Sequence, residues 1–123
     1  MIGIVAGLIC YGAVQLKNKL KWDDALDVWG VHGVGGATGI IMLGLIGTTA
    51  VNAAGANGLF FGGGDFFVKQ VVAVVFSSIY ALAFTWVMLW LINKVTPVRT
   101  SDAEEGGLDQ ALHGEEAYES SVL

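Results

Sequence analysis

Apolar residues run along most of this chain in long stretches broken at only a few places. From Val28 to Gly64 there is no Asp, Glu, Lys or Arg, and from Gln70 to Asn93 there is again none. Each stretch exceeds the roughly 20 apolar residues that carry a helix across a bilayer core. A shorter apolar segment, Ile2 to Leu16, precedes them and ends at Lys17, Lys19 and Lys21. The pattern predicts three helices, over about residues 2–16, 24–50 and 66–94, with a Gly/Ala/Asn loop at residues 51–65. The expected fold class is an all-α membrane protein, with a transmembrane region over 1–97 and a polar tail over 98–123. Pro97 stops the third helix.

The turn before the second helix is acidic. Asp23 or Asp24 can cap the helix, and Asp27 falls in its first turn, where the backbone dipole favours negative charge. The same three carboxylates can also gather cations at an inner mouth; capping is the simpler reading. Inside the helix, glycine is dense: Gly30, Gly33, Gly35, Gly36, Gly39, Gly44 and Gly47. In water this would weaken a helix, whereas between membrane helices small residues permit close backbone approach. Gly33, Gly36 and Gly39 are therefore expected at helix-packing positions.

Composition sharpens this picture. Hydrophobic residues make up 54% of the 123 and charged residues 14%. A soluble domain usually has about 25% charged residues, and a chain this short has no other material with which to bury two such segments. The net charge of -5 comes from the tail. Asp102, Glu104, Glu105, Asp109, Glu115, Glu116 and Glu119 lie there without a base, while residues 1–99 hold four acids and all six bases. An acidic tail without a basic run excludes nucleic acid as a partner. Lys17, Lys19 and Lys21 share a side with Lys94 and Arg99, against Lys69 alone on the other. The positive-inside rule then places the Lys17–Lys21 loop and the tail in the cytoplasm and the N-terminus outside. Trp22, Trp29 and Trp90 fall near the inner interface, and Phe60, Phe61, Phe66 and Phe67 near the outer one. Met1 leads into apolar residues without a basic n-region, so the N-terminus does not read as a signal peptide.

Little here suggests an enzyme. Cys10 is the single cysteine and reads as a small core-filling residue. No nucleophile set, phosphate loop, cofactor motif or metal-ligand spacing is visible. His32 carries the most information, because an ionisable group at membrane depth usually faces a cavity or a partner. At helical spacing Gly35, Gly36 and Gly39 share its face, so the imidazole stands beside bare backbone. That face can receive another helix or line a narrow passage.

Three stretches carry a family resemblance. The run DDALDVWGVHGVGG, Asp23 to Gly36, closely resembles a segment of the ammonium transporter (Amt/Mep/Rh) family. The run NGLFFGG, Asn57 to Gly63, resembles that family's NGLFYGG loop, with Phe61 where Tyr is common. The run GLDQALHGEEAY, with Gly107, Leu108, Asp109, His113, Gly114, Glu115 and Tyr118, resembles its cytoplasmic tail motif. The resemblance implies ammonium transport, an eleven-helix fold of which this chain matches the last three helices and the tail, and a trimer with a pore in each subunit. It implies that His32 is the second of two facing pore histidines. A hydrophobic pore disfavours NH4+ but passes NH3, and an imidazole can accept a hydrogen bond from the substrate or relay a proton to a second ring. The first histidine, the Phe gate and the outer recruitment site have no counterpart in this chain. Upstream helices would complete the pore, and the implied partners are ammonium or ammonia, the lipid of a plasma or inner membrane, and a PII-type signalling protein at the cytoplasmic face. The alternative reading is a truncated non-conducting remnant, or a membrane-embedded interaction module whose acidic tail binds a partner.

Overall fold

The structure is a computed structural model, and it describes residues 1–99 and Gly114. The described residues are helical and contain no strand. The chain forms two compact units, Met1–Tyr80 and Ala81–Leu123.

In the first unit, helix α1 spans Ile2–Leu20, a turn longer than the apolar run. Lys17 and Lys19 stay helical because cations suit a helix C-terminus. The helix then closes with Lys21 left-handed (φ 54). The Lys21 N–H donates to the Asn18 carbonyl at 3.1 Å and the Trp22 N–H to the Lys17 carbonyl at 3.2 Å. This pair of bonds satisfies carbonyls that a helix end leaves open.

The second helix begins at Val28, not at Asp24. Asp27 is the reason: its φ of 55 breaks the helical path just before it starts. The first turn, Trp29–Val34, is π-helical and carries His32; helix α2 then continues over Gly35–Ile46. It stops at Ile46 rather than residue 50, because Gly47 turns extended and its carbonyl accepts the Gly58 N–H at 2.8 Å.

A connecting loop, residues 47–63, holds a single 3-10 turn at Leu59–Phe61. Helix α3 spans Gly64–Asn93 and so contributes to both units. In the second unit its end is finished by Asn93, whose Oδ1 accepts the Val98 N–H at 3.1 Å, and by Lys94, whose Nζ lies 3.6 Å from the centre of the Trp90 ring.

Among the described residues, Trp29–Ile46 and Gly64–Asn93 are long and apolar enough to cross a membrane, and few of their residues are buried within the chain. α1 is not in that class, since Lys17, Asn18 and Lys19 close it. Ala13 and Lys17 are the buried residues other than glycine. An extended apolar surface of this kind belongs against lipid or further helices.

Candidate functional site

The site is assembled where α1 runs antiparallel to the His32-bearing turn. Gly30 is buried against Val14: a Cβ there would come within 2.9 Å of Val14 Cγ2 and 3.3 Å of its backbone nitrogen. One turn on, a Cβ at Gly35 would come within 2.9 Å of Cys10 Sγ. Ala13, next to Val14 on α1, is buried. Cys10 thus has the packing role expected of it, with its thiol 3.9 Å from the Val31 carbonyl.

Within this chain the glycines divide into those that meet α1 or α3 and those that face open space. Gly36 and Gly39 meet nothing within 4 Å, and Gly33 meets only Trp29 of its own turn. Within this chain the close approach is made by Gly30, Gly35 and Gly44 instead. The physical reason is the π turn. Its bonds run from i to i+5, so Gly35, not residue 34, falls beneath Gly30. Gly35 thereby faces α1, while Gly36 and Gly39 face open space. His32 itself is exposed, and its ring makes no hydrogen bond with any described residue.

The acidic turn divides its labour. The Asp24 carboxylate accepts the Val28 and Trp29 N–H groups, both at 2.9 Å. The bond from Trp29 above all, then that from Val28, holds its carboxyl below the ordinary value of 3.8, with Lys17 adding to the effect and desolvation opposing it. Asp24 is thus the cap. Asp27 is not in the first turn; it stands at the entrance, its carbonyl accepting the Val31 N–H at 2.9 Å and its Oδ1 pairing with Lys17 Nζ at 2.6 Å. Asp23 is exposed. Trp22 closes the turn edge-on over Trp29, with ring centres 5.0 Å apart at 76°.

Lys17 was not legible as a site residue among three lysines. Its side chain is only 7% exposed, and its Nζ also donates to the Asp24 carbonyl at 2.6 Å. The signal that sets it apart is its register: Lys17 follows Cys10, Ala13 and Val14 at helical spacing on the face that packs, whereas Lys19 is off that spacing and Lys21 lies beyond the helix end in a left-handed conformation.

At the other end of α2 the 57–63 run has a structural part. Asn57 Oδ1 accepts from the Thr49 N–H at 2.9 Å and the Thr49 hydroxyl at 3.2 Å. A Cβ at buried Gly58 would lie 2.7 Å from the carbonyls of Gly44 and Leu45, and one at Gly63 would fall onto the Asn57 carbonyl. Gly62 takes the left-handed conformation (φ 83) between them. Phe67 packs on Gly44 together with Gln70, so it is not given over to an aromatic belt alone. Nearby, a largely apolar cleft of about 560 Å³ is lined by residues that include Ile2, Leu43, Ile46, Val51, Asn52 and Phe66. None of the expected site residues lines it. The tail residues Gly107, Leu108, Asp109, His113, Glu115 and Tyr118 lie outside the described residues; Gly114 is described, exposed, with φ 66. No group of three His, Cys, Asp or Glu able to hold a metal ion occurs among the described residues.

Comparison with known proteins gives a consistent picture. The profile of the Ammonium Transporter Family matches residues 1–118. An ammonium transporter of Bacillus subtilis is 43% identical over 124 residues, covering 99% of this chain and 31% of the relative. Ammonium transporter 1 of Dictyostelium discoideum is 42% identical, covering 99% of this chain and 27% of the relative. Ammonium transporter Amt1 of Archaeoglobus fulgidus is 38% identical, covering 96% and 30%. The chain therefore spans under a third of the length of the curated relatives it matches.

Proposed function

We propose, from the fact that this chain belongs to the ammonium transporter family, that it forms part of a membrane protein that conducts ammonium, with His32 on the conduction path. The observation that carries the reading is His32 itself. It sits within an apolar, span-length helix, its ring is free of hydrogen bonds to the described residues, and the glycines beside it, Gly36 and Gly39, face open space. The bare backbone leaves room for a small polar molecule against the imidazole, which can accept a hydrogen bond from it or donate one to it. The substrate is ammonium or ammonia, as the names of the relatives suggest.

Further helices complete the path. Three helices leave His32 facing lipid, where a polar group is costly. We assign α1, the Trp29–Ile46 segment and α3 to the membrane, within a trimeric assembly, and the acidic tail to a cytoplasmic face where a PII-type protein docks. Asp23, exposed beside the Asp24 cap, is the acid left to draw cations to the inner mouth. The direct test is a hybrid in which this chain replaces the matching 124 residues of the Bacillus subtilis relative. Methylammonium uptake by cells lacking their own transporters should persist in the hybrid. A hybrid that reaches the membrane in normal amount yet takes up nothing would sink the reading.

The sidedness rests on the bias of lysine and arginine. Single cysteines placed at Lys19 and Ser120, in a Cys10→Ser background, are expected to resist a membrane-impermeant maleimide added to intact cells and to react after lysis. Labelling of either position in intact cells would reverse the orientation.

A further inference from the structure

We propose that Lys17 is a positioning residue: by gripping the acidic turn it fixes the register in which the π turn presents His32. The proposal rests on the placement of His32 on the conduction path for its functional meaning, but its geometry stands apart from transport.

Three contacts mark the register of α1 against the segment that carries His32. Lys17 pairs with Asp27 at 2.6 Å, Val14 meets Gly30, and Cys10 meets Gly35. On α1 the partners are spaced by three and four residues, as on any α-helix face. On the facing segment they are spaced by three and five. The extra residue is the π turn. Were the segment α-helical, residue 34 would face Cys10, and residue 34 is Val. The space there does not admit even a Cβ without movement, as Gly35 shows by its 2.9 Å approach to the sulfur. Val34 is therefore excluded, and the widened turn brings glycine to the contact.

A π turn has poorer geometry than an α turn and needs something to hold it. The glycine contacts supply closeness but little direction, since apolar contact is non-directional. Direction comes from the charges. The Lys17 ammonium, nearly buried, bonds the Asp24 carbonyl and the Asp27 carboxylate together. Asp24 in turn accepts the Val28 and Trp29 N–H groups, and Trp29 begins the π turn. One cation thus fixes both ends of the four-residue turn from Asp24 to Asp27, and with it the starting point of the register. A buried charge that loses its partner is strongly unfavourable, so a slip of one residue, which would part Lys17 from Asp27, is disfavoured as a whole.

The lone native cysteine supplies the test. A Cβ at position 35 lies 2.9 Å from Cys10 Sγ, close to the roughly 3 Å that two disulfide bond lengths and their angle require. In the full 123-residue chain in membranes, Gly35→Cys is expected to form a disulfide with Cys10 on mild oxidation, and Val34→Cys is not. With Lys17→Met added, the preference for position 35 over 34 should fall at least tenfold. With Lys17→Arg, which keeps the charge and a pair of donors, the preference should return. A merely bulky role for Lys17 would leave Met as good as Arg. Equal bridging at 34 and 35 in the parent background, bridging at neither, or an undiminished preference with Lys17→Met would each overturn the proposal. None of these outcomes depends on uptake, so failure of the transport reading is seen separately, in the hybrid.

Discussion

His32→Ala is expected to lower methylammonium uptake by the hybrid transporter at least about tenfold at equal membrane abundance, since a lost hydrogen bond of about 1.5 kcal/mol is a factor of about ten. The expectation follows from what the ring does and does not touch. It takes no part in packing α1, because the π turn sends Gly30 and Gly35 to that contact and leaves the imidazole exposed. Truncating it therefore removes a polar group from the open face without opening a cavity in the α1 contact. Gly36 and Gly39 remain, and water or substrate at that face loses its partner. His113→Ala is expected to leave the rate of conduction alone, because His113 belongs to the acidic tail. Equal uptake by His32→Ala and the parent, with equal protein in the membrane, would return His32 to a packing role against a neighbouring helix.

Gly63→Ala is expected to cost upward of about 3 kcal/mol, beyond the ordinary range for one added methylene in a packed site. A Cβ at Gly63 would fall onto the Asn57 carbonyl. That obstacle is backbone, held in turn by Gly58 against the Gly44 and Leu45 carbonyls and by Asn57 on Thr49. None of these can swing aside as a flexible side chain could. The adjacent Gly64 is the control. A Cβ there meets nothing within 4 Å, and the residue opens α3, so Gly64→Ala should be neutral or stabilise by up to about 1 kcal/mol through helix propensity. Detergent-solubilised hybrid carrying each change, compared by the temperature at which it aggregates, checks the pair. Similar temperatures for the two variants would mean that the loop closes in some other way.

The contrast shows what a sequence makes legible. Two long charge-free runs mark helices because apolar stretches of that length suit a membrane span, and the structure has a helix in each, the first run also holding the loop 47–63. Their ends were not legible, for reasons that lie elsewhere in the chain. α1 runs on to Leu20 with Lys17 and Lys19 in its last turn, Lys17 paired with Asp27, and the second helix waits until Val28 because Asp27 is left-handed, with the Asp24 side chain capping the turn. The π turn was out of reach, since a period of 3.6 was assumed and only Val14 and Cys10, facing it, reveal the extra residue. For the same reason the contact of Gly30 and Gly35 with α1 is not readable from helical spacing. His32 stood out correctly as an ionisable residue in an apolar helix, but the openness of its face comes from geometry alone. The NGLFFGG run could be matched to a family, yet the demand for glycine at 63 comes from a carbonyl six residues back.

The loop between α2 and α3 also bears on how the chain meets a membrane. Its closure relies on main-chain groups: the Gly58 N–H donates to the Gly47 carbonyl at 2.8 Å and the Gly63 N–H to the Gly58 carbonyl at 2.9 Å, with the Asn57 amide serving Thr49. The two apolar helices are thus joined by a loop that has already met part of its own hydrogen-bonding demand. Unsatisfied backbone is what hydrocarbon penalises most. Under the membrane assignment proposed above, the backbone that must cross between the two helices is then confined to a short span of small residues, Thr48 to Gly63, that carries no formal charge.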